Sequence, residues 1–509
     1  MTSLGFPLIS LALWLPLVGA VLLFLLPSRS EQNQRMIAFS FSLVTLVAAL
    51  VAFFLFNRSA ASFQLVDSFT WIPSLGINYA VSIDGVSIWF VLLIALLTPI
   101  ALLMTWDHIE RDVRGFQILL LVLETAVIGT FVAQDMFLFY IFFELTLVPT
   151  ALLIGRWGGA QRVKAASQFF LYNFGSSLFM LVAIIALYLT HRDQTGVATG
   201  DIGTILANLR AGKLVFAPAI ERLLFGGFFI AFAVKMPLWP FHTWLPLAHA
   251  ESTDDGSIDL LGLLQKLGGY GLIRFCVQLL PGATAWAAPA VGVLAVISIL
   301  YGAIVAYNQT DIKRVLAYST LSHMGFATLG IFAMNQIGLS GAIVMLISSG
   351  IATGALFLVS GMIVARRSTR DVRELGGLWK ATPMLGGLAL TAVFGSIGLP
   401  GLIGFAGEFP VMQGAWLAPA LGPRFIIVAV IGVILAAAYL LTMFRRAFMG
   451  ELRPINADLP DLAGREIALL GLLVALIVVV GVYPNLLFAP MQATLAQIAA
   501  RATQALALK

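Results

Sequence analysis

Apolar runs of about 20 residues, parted by short polar loops, recur from one end of the chain to the other. A hydrocarbon core about 30 Å thick takes about 20 helical residues to cross. On that measure the pattern predicts helices near 7–27, 36–56, 85–106, 117–133, 136–155, 165–190, 222–245, 257–280, 288–308, 312–332, 338–365, 383–412, 424–445 and 466–490. That makes fourteen, and the fold class is an all-α polytopic membrane protein. Between the sixth and the seventh, TGDIGTILANLRAGKL (198–213) is too short and polar to span and reads as an interfacial helix. The first span has an uncharged approach and no small-residue cleavage site at Pro27-Ser28-Arg29, so it reads as a retained helix and not a signal peptide.

Two spans contain breaks. In AVKMPLWPFHTWLP (233–246), Pro237 and Pro240 remove backbone donors and clash with the preceding turn, directly after Lys235. The carbonyls freed in this way need partners inside the membrane, from water or from side chains such as His242 and Thr243. In GSIGLPGLIGFAGEF (395–409) a similar interruption stands beside Glu408. Lys235 and Glu408 are 173 positions apart, and the ninth helix starts about 173 positions after the fourth. Helices 4–8 and 9–13 therefore read as two copies of a five-helix unit. Five is odd, so consecutive copies must be inverted. Paired interruptions in inverted repeats point to the coupling-ion site of a transporter. The chain then divides into N-terminal helices (1–116), a first repeat (117–280), a second repeat (288–450) and a C-terminal loop with helix fourteen (451–509).

Charge supplies orientation and narrows the chemistry. Loops after odd-numbered helices hold 18 Lys/Arg and loops after even-numbered helices hold 6, which puts the former in the cytoplasm and both termini outside. With 60% hydrophobic and only 10% charged residues, the net charge of +5 belongs to loops at a membrane surface and marks no nucleic-acid face. The basic residues within spans are Lys235, Lys266 and Arg274, and Arg274 is placed to snorkel to an interface. A charge in hydrocarbon costs at least about 2.5–3.5 kcal/mol, so it normally faces a polar interior and marks an ion path. The candidates are Glu124, Glu144, Lys235, Lys266, His323 and Glu408. Singly each has a plainer reading: Glu144 satisfying a lysine, Lys266 reaching an interface, His323 as a neutral buried histidine, Glu124 as a structural partner. As a set they say more. Burial disfavours charge on lysines and carboxylates alike, which brings both towards proton exchange near neutral pH. Such a series passes protons and is poorly suited to binding sugars or lipids. Cys276 is alone, which excludes an internal disulfide and a cysteine-held metal or iron–sulfur site. No G-x-G-x-x-G turn and no P-loop occurs. No cofactor or metal is therefore expected in this chain.

KMPLWPFHTWLPLAH (235–249), LQKLGGYGLIRF (264–275), DIKRVLAYSTLSHMGF (311–326) and GLPGLIGFAGEF (398–409) carry a family resemblance, as do INYAVSIDGVSIWFVLLIALLTPIALL (77–103) and FELTLVPTALLIGRWGG (143–159). Over most of 77–450 the chain resembles the antiporter-like membrane subunits of respiratory complex I, above all the M-type (chain 4) subunits of proton-pumping NADH:quinone oxidoreductase. The resemblance implies proton translocation in a bacterial inner membrane, driven by quinone reduction elsewhere in a complex. It places NADH, FMN, iron–sulfur clusters and quinone in partner subunits. The partners it implies are other membrane-arm subunits, neighbouring antiporter-like ones among them, and lipid, with no nucleic acid. In that pattern Glu144 and Lys235 look like a switchable pair, Lys266 and His323 like a central relay, and Glu408 like a terminal proton carrier; Glu124, His242 and Asp259 are weaker candidates. The same fold serves multisubunit cation/proton antiporters and membrane-bound hydrogenases, and a non-conducting scaffold subunit is a further reading. The acid at 408 favours the M type, since related chains often carry lysine there.

One stretch departs from the family pattern. Members continue HTWLP with Asp-Ala-His and an Ala-Pro turn, whereas LAHAESTDDGSIDLLG (247–262) has Leu247 for the acid, no proline, and added acids at Asp254, Asp255 and Asp259. The spacing lets Asp255, Asp259 and Lys266 share a helix face, altering the path near Lys266. The reading preferred on the sequence is plainer: a loop facing water or a neighbouring subunit.

Overall fold

The computed structural model describes residues 6–25, 30–260 and 264–507. Among these, twelve helices are long and apolar enough to cross a membrane, from Leu8–Leu25 to Gly464–Val482. Two further apolar segments are interrupted where the sequence predicts breaks: Pro218–Lys235 followed by Trp244–Ala250, and Pro383–Ser396 followed by Ile403–Leu417. The stretch read as an interfacial helix holds a short helix, Ile202–Arg210. Burial ranks the spans. All of the most apolar stretch of Gln336–Arg367 and 94% of that of Ile312–Phe332 is enclosed, against 33% for Glu31–Leu55 and Gly464–Val482. The centre of the bundle therefore lies around the former two, and the outer pair forms its rim.

Short polar side chains set where helices begin. Asp112, Asp135, Asp201, Asp311 and Asn335 each accept a hydrogen bond from a backbone N–H in the first turn that follows, satisfying donors the helix cannot pair itself. Two of these caps form a recurring device. Asp135 opens Met136–Leu145 and bridges by backbone to Asp201, after the long helix Arg162–Thr195; Asp311 opens Ile312–Phe332 and bridges likewise to Asp371, after Gln336–Arg367.

The breaks share a hydrogen-bond pattern too. In the first, Leu238 N donates to Ala233 O at 2.9 Å and Phe241 N to Leu238 O at 2.6 Å. In the second, Leu399 N donates to Phe394 O at 3.2 Å and Leu402 N to Leu399 O at 3.0 Å. Each position in the second set lies 161 residues after its counterpart. The predicted spacing of 173 therefore does not superpose the breaks: Lys235 corresponds to Ser396, and Glu408 to Leu247. The reason is the connection carrying Ile202–Arg210, which lengthens the first half ahead of its break. Freed carbonyls are handled locally. The indole Nε1–H of Trp244 reaches back to Val234 O at 3.0 Å, while at Gly404 the absent side chain lets the returning backbone close on Gly395 O.

Two central helices carry π-helical turns, at Leu272–Leu279 and Ser349–Thr353, a geometry frequent at functional sites. Two other features lie outside the predicted pattern. The connection 57–84 holds an antiparallel hairpin, Gln64–Ile72 with Ile77–Ile83, turned by Gly76 in the left-handed region at φ 60°. Beyond helix Gly464–Val482 the expected tail is a further helix, Asn485–Ala507. It buries Met491, Leu495, Ile498 and Ala502 on one face, and Thr494 Oγ1 accepts from Gly85 N at 3.2 Å.

Candidate functional site

Lys235 ends the first part of its interrupted helix and is fully buried. Unpaired carbonyls give that end partial negative charge, which suits a cation. Nζ donates to Thr146 Oγ1 at 3.1 Å and lies 4.8 Å from the ring centre of Phe143 and 5.9 Å from that of Phe169. Glu144 stands two residues before Thr146, beside Ser177 and within electrostatic reach of Lys235, and is partly exposed on the outer wall. Its Oε1 is buried with no hydrogen-bond partner among the described residues. No ion pair joins it to Lys235, which is bonded to Thr146 instead.

Lys266 is buried on Leu264–Gly271, the short helix leading into the longer π-turn. Its stem lies against Gly350 in the other π-turn, where an added Cβ would come within 3.1 Å of Cε. His242 sits in the break itself, edge-on to Tyr301 at 5.0 Å, with Nδ1 unpartnered among the described residues. His323, buried on the central helix Ile312–Phe332, faces the backbone at Ser396; its Nε2 has no partner among the described residues. Glu408 is buried on Ile403–Leu417 and lies over Gly398, where a methyl group would overlap its Oε2. Tyr439 is within electrostatic reach of Glu408 and donates its hydroxyl to Ser319 Oγ at 2.8 Å, one turn before His323. Thr146, Ser319 and Tyr439 are thus polar neighbours of the candidate charges, although neutral hydroxyls in an apolar run give no sequence signal of their own.

The remaining candidates are placed differently from expectation. Glu124 is buried but apart, taking a long 3.5 Å bond from Ser42 on the rim helix Glu31–Leu55. Arg274 does not reach an interface. It is enclosed, donates from Nη2 to Asp84 Oδ1 at 2.5 Å, and has the Tyr270 ring 5.0 Å away. A close carboxylate offsets the cost of enclosing that charge, which an apolar pocket would not. The atypical stretch is interior as well, save that 261–263 lie outside the described residues: Glu251, Ser252, Thr253, Asp255 and Asp259 are buried, and Asp254 alone of its acids reaches the surface to pair with Arg370 at 3.2 Å. Asp255 closes the turn ahead of Ser257–Leu260 by accepting from Ser257 N at 2.9 Å, so it shares no helix face with Asp259. Asp259 turns to Lys313 and His249, each at 2.7 Å. Lys313, grouped with the loops in the sequence reading, is fully buried and is a fourth basic residue in the interior. A signal was present: Lys313 follows the Asp311 cap by two and shares a face with the apolar Leu316 and Ala317.

Comparison with known proteins identifies the family. The family model described as NADH:quinone oxidoreductase/Mrp antiporter, transmembrane, matches residues 133–436, which contain Glu144, Lys235, Lys266, His323 and Glu408. The NADH-quinone oxidoreductase subunit M of Mycobacterium tuberculosis is 37% identical, over 93% of this chain and 90% of its own length. That of Rhodobacter capsulatus is 39% identical, over 94% of each. Among solved structures, a chain of respiratory complex I from Thermus thermophilus with bound NADH superposes with a TM-score of 0.86 at 34% identity, covering 96% of this chain and 99% of that one.

Proposed function

The chain belongs to the NADH:quinone oxidoreductase/Mrp antiporter transmembrane family, and on that premise we propose that it is the M-type, proton-translocating membrane-arm subunit of an NADH (or related donor):quinone oxidoreductase. It is an integral membrane protein. The interrupted segments act as spans seven and twelve and, with the twelve long helices, make fourteen. Helices 4–8 and 9–13 are inverted five-helix repeats; the common break pattern and the cap pairs Asp135–Asp201 and Asp311–Asp371 support this. The basic loops face the cytoplasm of a bacterial inner membrane and both termini lie outside. NADH, FMN, iron–sulfur clusters and quinone belong to partner subunits, and the neighbours in the membrane are other membrane-arm subunits, antiporter-like ones among them, and lipid.

The observation that carries the reading is the environment of Lys235. A buried lysine at a helix break is bonded to a neutral hydroxyl, while a carboxylate with an unfilled oxygen stands two residues from that hydroxyl. An opposite charge favours the protonated form of a buried amine, and a hydroxyl does so far less. Moving Lys235 between Thr146 and Glu144 therefore loads and unloads a proton. Lys266 and His323 form the relay beyond it, Ser319 and Tyr439 lead on to Glu408, and water fills the gaps.

The test is Glu144→Ala in membranes holding the whole complex, with assembly checked on a native gel. The expected result is normal assembly with loss of both quinone-reductase activity and proton pumping. Wild-type values for both would make the buried axis structural and the chain a scaffold. The family description also covers Mrp antiporters; sodium- or potassium-linked proton exchange in membranes lacking quinone-reductase activity would favour that assignment instead.

A further inference from the structure

Below the surface layer where Arg370 bonds Ala250 O, Asp254 and Asp311, a second set of ionisable groups is shielded from bulk water. Lys313, Asp259 and His249 are 0%, 3% and 8% exposed. Asp259 accepts from Lys313 Nζ at Oδ2 and from His249 Nδ1 at Oδ1, both at 2.7 Å, and Ser252 Oγ bridges the two oxygens at 2.6 Å. Lys313 is completed by Ser252 Oγ at 2.9 Å and Thr253 O at 2.5 Å. The ion pair is therefore satisfied without the imidazole. On the other edge of the ring, Gln265 Nε2 meets His249 Nε2 at 3.1 Å. An amide NH₂ only donates, so Nε2 of the ring accepts and the ring's own proton sits on Nδ1, aimed at Asp259.

His249 and Gln265 also line a cavity of about 40 Å³, with Thr150, Trp244, Ser252 and Asp259. At about 10–15 Å³ of such space per molecule it has room for roughly three or four waters; most of its wall is apolar, and the polar atoms it offers them are those of Thr150, Ser252, His249, Asp259 and Gln265. Thr150 is one turn beyond Thr146, the acceptor of Lys235. The charged groups facing the ring are Asp259 and Lys313. Asp255 turns to Thr253 and Ser257, Glu251 to the backbone N–H of Gln161, and Asp311 and Arg370 pair with each other outside. The helices Arg162–Thr195 and Gly354–Arg367 present only Phe169 and Phe357 here, the latter stacked on the ring at 4.8 Å.

We propose that His249 is a proton-loading site of this chain, filled from the cavity water and emptied towards Thr146 and Lys235. A hydrated proton gives up its O–H bond as the N–H bond forms at Nε2, and Gln265 turns its amide to present Oε1. Asp259 then holds an imidazolium against Lys313, the cluster charge rises by one, and it falls by one on release; no electron moves. This rests on the proton-translocating reading above.

The experiment compares three variants of the whole complex in membranes: His249→Gln, the double variant Asp259→Leu with Lys313→Met, and Lys235→Met. The first two are expected to assemble, to lose proton pumping and quinone reduction together by about tenfold or more, and to lose one titrating group from the pH–rate profile. Wild-type pumping and an unchanged profile in the double variant would make the cluster a structural ion pair and overturn the proposal. If Lys235→Met is inactive while the other two are wild type, only the loading site falls. If Lys235→Met also pumps normally, the proton-translocating reading falls with it. Should His249→Gln fail to assemble, Gln265→Leu, which leaves the ion pair intact, takes its place with the same two outcomes.

Discussion

Lys235 and Ser396 occupy the same place in two breaks that are hydrogen-bonded alike, yet only the first is charged. The second half carries its charge twelve residues later, at Glu408, on the helix that resumes at Ile403. Helix polarity accounts for the order. A cation gains at the C-terminal end of the helix before a break, and an anion gains near the N-terminal end of the helix after one. Glu408 is already the sixth residue of its helix, where that effect has faded, so it depends on the space above Gly398 and on the neighbouring Tyr439. The first-half counterpart of Glu408 is the apolar Leu247, and a carboxylate reaches that neighbourhood only through Asp259. The two halves repeat the break and place their charges differently.

The largest effects are expected from removing each charge while keeping side-chain size. Lys235→Met and Glu408→Gln should each lower proton-coupled quinone reduction by at least about tenfold, on the order of 1.4 kcal/mol of barrier, in complex that assembles normally. Adding Ser396→Lys to Lys235→Met puts a lysine at the equivalent place in the other break, where it has neither Thr146 nor Glu144. No recovery of pumping is expected. Recovery would mean that the two breaks are interchangeable and that the separate assignment of charge is wrong.

A smaller difference should appear one step into each break, where Pro237 in the first half matches Gly398 in the second. Gly398 has φ +75°, and a methyl group there overlaps Glu408 Oε2. Gly398→Ala therefore combines about 1–3 kcal/mol of backbone strain with displacement of the acid. It should reduce both the melting temperature of the solubilised complex and its turnover, the latter several-fold. Pro237→Ala keeps an accessible φ and loses only about 0.4–1 kcal/mol of chain restriction, with turnover within about twofold of wild type. Equal losses in both would show that Glu408 does not need the space above residue 398.

The long apolar spans, both breaks and the interior position of Lys235, Lys266, His323 and Glu408 are legible because a charge or a proline inside an apolar run is conspicuous. Correspondence between the halves is not legible in the same way. Sequence spacing counts loop residues as well as helix residues, so the connection around Ile202–Arg210 shifts the apparent repeat from 161 to 173. Arg274 looks able to snorkel and Lys313 counts with a loop, and only their carboxylate partners, Asp84 and Asp259, from distant or atypical segments, reveal that they are enclosed. The hairpin and Asn485–Ala507 escape a search tuned to long apolar runs, since one is made of short strands and the other buries a single face.

The smallest contrast concerns the caps. Asp311 accepts from Lys313 N at 2.8 Å and faces Arg370 at 3.3 Å, whereas Asp135 accepts from Phe137 N at 2.9 Å and Asn78 N at 3.1 Å and faces another acid, Asp201. Burial, with Asp201 adding to it, holds the Asp135 carboxyl above the ordinary carboxylate range. A cap contributes about 0.5–2 kcal/mol, and a partly exposed ion pair about 0–1 kcal/mol more. Asp311→Ala should therefore cost more in thermal unfolding than Asp135→Ala, and Asp135→Asn, which keeps the accepting oxygen, should cost least. The pH dependence has a definite sign. A carboxyl whose folded value is raised binds its proton more tightly in the folded state, so its contribution is present below the unfolded value and is lost as pH rises through the folded one. Wild type should accordingly lose stability relative to Asp135→Asn as pH climbs from near 3.8 through that window. Parallel pH profiles for the two would mean that Asp135 is already balanced by its backbone donors, and the contrast between the halves would then be confined to the buried axis.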